Sequence, residues 1–359
     1  MNDTMQALML EATKLTRRGR LSEATAAIQR ALHGAPVTGV DVTHVDVTHA
    51  DVTGADVIDG CVFESGKPAS STFTTARFTD GRLTREFKLF LPAGVAGTAA
   101  PLVVMLHGCT QGPDDFAAGT GMNRLGEAQR FAVLYPAQAQ DANPQRCWNW
   151  FKHHHQQRGR GEAALIAALA LEVVTRHGLD VQRVFVAGLS AGGAMAATLG
   201  SVYPDVFAAV GVHSGLAPVA AGSLPEALAA MRGEAAAHPA RPLPVPTIVF
   251  HGDHDRTVHP RNGEQALAAA LAGHDGTAQV EQGSSGGRRY TKTVHHTTDG
   301  GPIAEHWVLH GAGHAWSGGS GAGSYADPKG PDASAEMLRF FLDQATTSSA
   351  RSASIPASS

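Results

Sequence analysis

The sequence is poor in the features that define several large protein classes. Three cysteines in 359 residues cannot staple a disulfide scaffold. Lys and Arg number 28 against 32 Asp and Glu, a net charge of −4, so no basic excess points to nucleic acid as a partner. No stretch approaches the roughly 18 consecutive apolar residues of a membrane span. The N-terminus shows no charged start followed by an apolar core, so no secretory signal is read and a cytoplasmic chain is expected. The run His153-His-His155 has no Cys, Asp or Glu at matching spacing, and neither a metal nor another cofactor is expected.

What is present is a 43% apolar chain with room for one large domain and appendages. Residues 1–35 read as a helical N-terminal arm, because Leu8, Ala12 and Leu15, then Leu21, Ala24, Ile28 and Leu32 recur at helical spacing around a break at Gly19. Residues 36–74 read as a low-complexity linker carrying a five-residue repeat, Asp41-Val-Thr-His-Val45, Asp46-Val-Thr-His-Ala50, Asp51-Val-Thr-Gly-Ala55. Such short units cannot bury a core of their own. A Ser- and Ala-rich stretch, 346–359, reads as a disordered tail.

Between them, residues 75–345 alternate strand and helix. Leu102–Leu106 and Phe131–Tyr135 are continuous apolar runs, as expected of strands buried on both faces. Glu162–His177 reads as a helix, Thr247–Phe250 and His306–Leu309 as strands, and Ala333–Asp343 as the closing helix. This alternation predicts an α/β fold with a mostly parallel sheet covered on both faces, and active groups in the loops at the carboxyl ends of its strands.

The centre of that pattern is Val184-Phe-Val-Ala-Gly-Leu-Ser-Ala-Gly192, a β-branched run that drops into a tight turn and then an alanine-rich helix. A serine at the apex of such a turn is presented clear of the sheet, and the glycines on either side, Gly188 and Gly192, remove side chains that would clash. Ser190 is therefore the candidate nucleophile, and the amide of Ala191 at the helix start is aimed at a developing oxyanion. The loop after Leu106 should supply a second amide, assigned to Cys109. The loop His251-Gly-Asp-His-Asp255 offers two competing carboxylates, Asp253 and Asp255, to orient a histidine. The loop His310-Gly-Ala-Gly-His314 offers the base, His314, with His310 at the strand end as a structural group. The order Ser, Asp, His is that of α/β-hydrolases.

The motifs Leu106-His-Gly-Cys-Thr-Gln111, Tyr135-Pro-Ala-Gln138, Cys147-Trp-Asn-Trp-Phe151, Gln157-Arg-Gly-Arg-Gly-Glu162, Gly188-Leu-Ser-Ala-Gly-Gly193, His213-Ser-Gly215, His251-Gly-Asp-His-Asp255 and Gly313-His-Ala-Trp-Ser-Gly-Gly319 appear in this order. Together they resemble the poly(3-hydroxybutyrate) depolymerase-type esterases, a branch of the α/β-hydrolases. The resemblance implies an α/β-hydrolase fold and a metal-free serine esterase acting on short-chain polyhydroxyalkanoate or its oligomers. It supports Ser190, Asp255 and His314 as the triad, with Cys109 and Ala191 as oxyanion donors. Relatives that cleave feruloyl or acetyl esters of plant polysaccharides supply the alternative substrate class. A granule-surface partner, with catalysis secondary, is a third reading that rests on the helical arm. The family also has many secreted members, in contrast to the cytoplasmic or granule-associated location expected here.

Two further expectations concern the loop at Cys147. Trp148 and Trp150, two apart, suit an exposed aromatic platform for substrate with one ring turned outwards, and Trp316 beside His314 is a third candidate. Cys147 is within reach of Cys109 in a folded domain, where a disulfide would brace the oxyanion loop. A reducing cytosol would instead keep both as thiols, and Cys61 is left unpaired either way.

Overall fold

The structure is a computed structural model that describes residues 70–81, 83–234, 241–298 and 300–353, with side chains as far as Gln344. The expected arm (1–35) and the linker up to residue 69 lie outside the described residues.

The apolar runs form the middle of a ten-stranded sheet. β3 (Leu102–Leu106), β4 (Ala132–Pro136), β5 (Val184–Leu189), β6 (Ala209–His213) and β7 (Thr247–Gly252) are buried at every position. With β10 (Pro302–Leu309) they run parallel in the order β4-β3-β5-β6-β7-β10. Successive residues point to opposite faces, so each strand feeds two cores. On β3, Leu102, Val104 and Leu106 enter one core and Val103 and Met105 the other.

Helices cover both faces, as a parallel sheet requires. α3 (Gly161–His177), α4 (Ala191–Val202), α5 (Leu224–Met231) and α6 (Arg261–Leu271) pack into the first core. α1 (Pro113–Thr120), α2 (Met122–Gln129) and α7 (Ala333–Ala353) pack into the second. The closing helix passes Asp343 and runs to Ala353, so the first residues of the expected tail are helical. Neither Gly nor Pro interrupts that stretch before Pro356, which leaves nothing to stop the helix.

Antiparallel hairpins flank the parallel centre. β1 (Thr72–Asp80) and β2 (Leu83–Leu91) join it through β2 and β4, and β8 (Gly276–Ser285) and β9 (Arg288–Thr297) join through β9 and β10. β1 begins a few residues before the expected domain boundary at 75. A short pair, β11 (Trp316–Ser317) and β12 (Ala326–Asp327), ties down the loop after β10. The parallel strands all end on one edge, and the loops after β3, β5, β7 and β10 meet there.

Candidate active site

Ser190 sits between β5 and α4 with φ +59°, a left-handed conformation that a non-glycine residue adopts only when its surroundings enforce it. The enforcement is visible. A Cβ on Gly192 would run into the carbonyl of Leu106, and one on Gly188 into the backbone of Gly192. Ser190 N–H donates to His213 O at 2.9 Å, which anchors the elbow to β6. The serine retains 8% exposure, at the surface of an otherwise buried turn.

Asp255 and His314 meet across the loops after β7 and β10. His314 Nδ1 lies 2.7 Å from Asp255 Oδ2, and since the carboxylate can only accept, Nδ1 donates this hydrogen bond, while Nε2 makes none among the described residues. The other carboxylate oxygen, Oδ1, accepts the amides of Thr257 and Val258, each at 2.9 Å. Burial pushes the Asp255 carboxyl up. The His314 hydrogen bond, the charges of His314 and His251 and the Val258 amide outweigh it and hold the group below the usual carboxylate range. Ser190 Oγ makes no hydrogen bond to His314 among the described residues, and such bonds commonly tighten only when substrate is bound.

Asp253 reaches a different histidine. Its Oδ2 pairs with His310 Nδ1 at 2.9 Å and its Oδ1 accepts the Gly311 amide at 2.6 Å, while His310 Nε2 lies 2.9 Å from Thr291 Oγ1 on β9. The two competing acids thus serve two histidines on one loop.

The loop after β3, expected to supply an oxyanion amide, is pressed against the elbow. A Cβ on Gly108 would stand 3.7 Å from Ser190 Cβ. Gly108 N–H donates to Gln111 Oε1 at 2.9 Å, whereas the Cys109 amide finds no acceptor among the described residues and remains available. Ala191 opens α4, where the first amides of a helix have no intrahelical acceptor. Cys109 and Cys147 are joined in a disulfide, which ties this loop to the segment that carries Trp148 and Trp150.

That segment corrects one expectation. Trp148 is 0% exposed, Trp316 1% and Trp150 5%, so these three rings form no platform open to solvent. Two of the three indole N–H groups find partners inside, those of Trp148 and Trp316. Trp148 Nε1 donates to His107 O at 3.1 Å and Trp316 Nε1 to Ser334 Oγ at 3.0 Å. Trp316 also stacks on His213 and meets Phe116 edge-on. An indole whose N–H has an internal acceptor can be buried without penalty, and the rings fill core volume.

Two residues from the quoted motifs hold the site together, although sequence reasoning gave them no role. His213, fully buried, accepts the Ser317 amide at Nε2 (3.0 Å) while its own carbonyl receives Ser190 N–H, so one residue fixes both the elbow and the histidine loop. Burial, with the charges of His251 and His314, drops its pKa to about 3, so it stays neutral. Glu162, also fully buried, accepts from Gln138 Nε2 at 2.6 Å, Asn149 Nδ2 at 2.7 Å and Asn149 N at 2.8 Å, with Arg85 at 3.5 Å. A buried carboxylate with this many donors fixes the Cys147–Trp150 turn. The visible signal was the polar residue itself, placed just inside a helix that is otherwise apolar. Of the His153-His-His155 run, His155 Nδ1 accepts the Glu162 amide at 2.8 Å at the start of α3.

Comparison with known proteins agrees with this architecture. Residues 85–288 match the family described as Esterase PHB depolymerase. The poly(3-hydroxyalkanoate) depolymerase C of Paucimonas lemoignei is 34% identical over 245 residues, 62% of this chain and 56% of that protein. Feruloyl esterase B of Thermothelomyces thermophilus is 29% identical over 150 residues, 42% of this chain and 50% of that one. The poly(3-hydroxybutyrate) depolymerase of Ralstonia pickettii is matched over 32% of its length, so the chain spans between about a third and just over half of these relatives. An acetyl xylan esterase from Aspergillus awamori shares the fold, with TM-score 0.59 and 19% identity over 75% of this chain and 99% of that one.

Proposed function

This chain belongs to the Esterase PHB depolymerase family, and on that premise we propose that it is an α/β-hydrolase serine esterase that cleaves short-chain polyhydroxyalkanoate or its oligomers. The observation that carries the reading is the His314–Asp255 hydrogen bond at 2.7 Å, on the same strand edge as a serine held at φ +59°. His314 Nε2 removes the proton from Ser190 Oγ as the oxygen attacks the ester carbonyl. The amides of Cys109 and Ala191 receive the oxyanion, each contributing on the order of 10²–10³ in turnover. The imidazolium, its charge stabilised by Asp255, then protonates the departing alcohol. Water activated by the same histidine releases the acid from the acyl-enzyme. The catalytic unit is the segment from β1 to α7.

The hydroxyalkanoate substrate is supported by the likeness to two proteins described as depolymerases of this polymer class. A second reading, a carbohydrate esterase, is favoured by the likeness to feruloyl esterase B and to acetylxylan esterase A of Talaromyces purpureogenus. Acid release from amorphous 3-hydroxybutyrate polymer and its trimer, measured beside methyl ferulate and acetylated xylan, tests the choice. The expected result is kcat/KM highest on the hydroxybutyrate esters and loss of activity after treatment with a sulfonyl fluoride. A preference for methyl ferulate or acetylated xylan would move the assignment to the second reading.

A further inference from the structure

Trp148, Trp150 and Trp316 are buried and offer no ring to solvent. Among the described residues Tyr325 is the one large aromatic that stands well exposed, at 48%. Its φ is +51°, a region that bulky side chains rarely enter. The chain grips it from both sides. Ser324 before it donates its amide (2.8 Å) and hydroxyl (2.6 Å) to the two oxygens of Asp115, and its carbonyl accepts from Gln111 Nε2 at 2.9 Å. Ala326 after it pairs with Trp316, and Tyr325 O accepts the Trp316 amide at 2.7 Å. Backbone strain persists where surroundings over-determine it, and here it falls on a residue that stays about half exposed.

The position explains what the strain is for. Trp316 follows His314 by two residues, so the Tyr325 backbone is fastened to the base loop. Its hydroxyl lies 3.4 Å from Thr110 Oγ1, next to Cys109 on the oxyanion loop. The single Thr110 hydroxyl proton goes to Cys109 O at 2.6 Å, so the phenol is the donor to Thr110. Tyr325 therefore lies between the loop that carries His314 and the loop that carries Cys109, half exposed to solvent.

We propose that Tyr325 determines specificity by packing its ring against the part of an ester chain that extends beyond the scissile carbonyl. The inference rests on the esterase reading of the Ser190 site. A flat apolar ring with a polar tip suits a repeating chain of short aliphatic esters, which presents methyl and methylene groups between carbonyls. A small acetate ester is too short to reach such a rim, so the ring acts chiefly on KM for extended substrates.

The test compares Tyr325→Gly, Tyr325→Ala and Tyr325→Phe in the full chain. Substrates are 3-hydroxybutyrate trimer, methyl ferulate and acetylated xylo-oligosaccharide, against p-nitrophenyl acetate. Glycine accepts positive φ without strain, so Tyr325→Gly removes the ring without adding backbone strain, and its melting temperature beside that of Tyr325→Ala separates loss of the ring from loss of the fold. On the extended ester that the wild type cleaves fastest, the Gly and Ala variants should raise KM by about tenfold, with a much smaller loss on p-nitrophenyl acetate. Tyr325→Phe should retain most of the affinity. Equal proportional losses on long and short esters would make the residue a brace for the oxyanion loop and overturn the inference, as would no change on any substrate. A wild type that cleaves p-nitrophenyl acetate but none of the extended esters would overturn both the inference and the proposed substrate. A wild type inactive on all four would overturn the esterase reading as well. Failure of the inference alone is recognised by an active wild type whose variants lose equally on long and short esters.

Discussion

Two histidine–aspartate pairs span the same two loops, those after β7 and β10. Asp255–His314 and Asp253–His310 have the same composition, with Nδ1 to carboxylate distances of 2.7 and 2.9 Å. They differ in burial and in what faces the far imidazole nitrogen. The Asp255 side chain is enclosed and the His314 one nearly so, whereas about a third of each partner in the other pair remains exposed. His310 Nε2 is already engaged by Thr291 on a regular strand, with no strained turn or freed amides around it. A carboxylate behind an imidazole is thus a common way to hold a loop. It becomes machinery only where a strained hydroxyl and oxyanion donors are assembled beside it.

The strongest way to break the comparison is Ser190→Ala, which leaves both pairs intact. Hydrolysis of p-nitrophenyl butyrate should fall by roughly 10⁶ in kcat with little change in melting temperature. Turnover well above that residual level would remove Ser190 from the role of nucleophile. Next in size, Asp255→Asn should lower kcat by roughly 10⁴, because the histidine is then held in the wrong tautomer. A variant that kept near-normal turnover would hand the orienting role to another group.

Acidification sharpens the contrast through stability. Burial lowers the pKa of His107 to about 4 and that of His213 to about 3, so between those values and about 6.5 the unfolded chain binds more protons. Melting temperature should therefore fall as pH drops through that window. Asp253, like Asp255, is raised by burial but lowered further by its partners, here His310 and the Gly311 amide. Each carboxylate contributes stability present above about pH 4 and lost as pH falls through its lowered value. Asp253→Asn and Asp255→Asn should each flatten this lower limb, and a lower limb unchanged in both variants would contradict the assignment.

Smaller effects belong to the second pair. Asp253→Asn should keep kcat within about tenfold and cost about 1–3 kcal/mol of stability, a few degrees of melting temperature for a domain of this size. Thr291→Val should cost about 1 kcal/mol or less and leave turnover as it is. Both are read by calorimetry beside initial rates, and a collapse of kcat in either would erase the distinction between the pairs.

The sequence carried the buried centre better than the edges. Leu102–Leu106 was legible to the residue because a strand enclosed on both faces must be apolar throughout. β8 is the opposite case. Gly276-Thr-Ala-Gln-Val-Glu-Gln-Gly-Ser-Ser285 is exposed along nearly its whole length, with Val280 at 65%, so no apolar period marks it as a strand. The short helices α1 and α2 escaped for a related reason, since each is only eight residues long with glycine inside it. At the site, loop placement narrowed the acid to Asp253 or Asp255 but could not choose, because two carboxylates two residues apart both reach the facing loop. The tryptophans failed as surface candidates because residue type says nothing about which internal acceptor an indole will find.

The bond between Cys109 and Cys147 also closes a covalent ring in the chain, of sequence separation 38, that contains β4, α1 and α2. Arg124, Arg130 and Arg146 are exposed on that ring. A trypsin cut at any of them severs the backbone without dividing the molecule. The nicked protein would migrate as one species on a non-reducing gel and as two fragments once thiol is added. Proteolytic wear at this face is thereby uncoupled from loss of the polypeptide that carries the oxyanion loop.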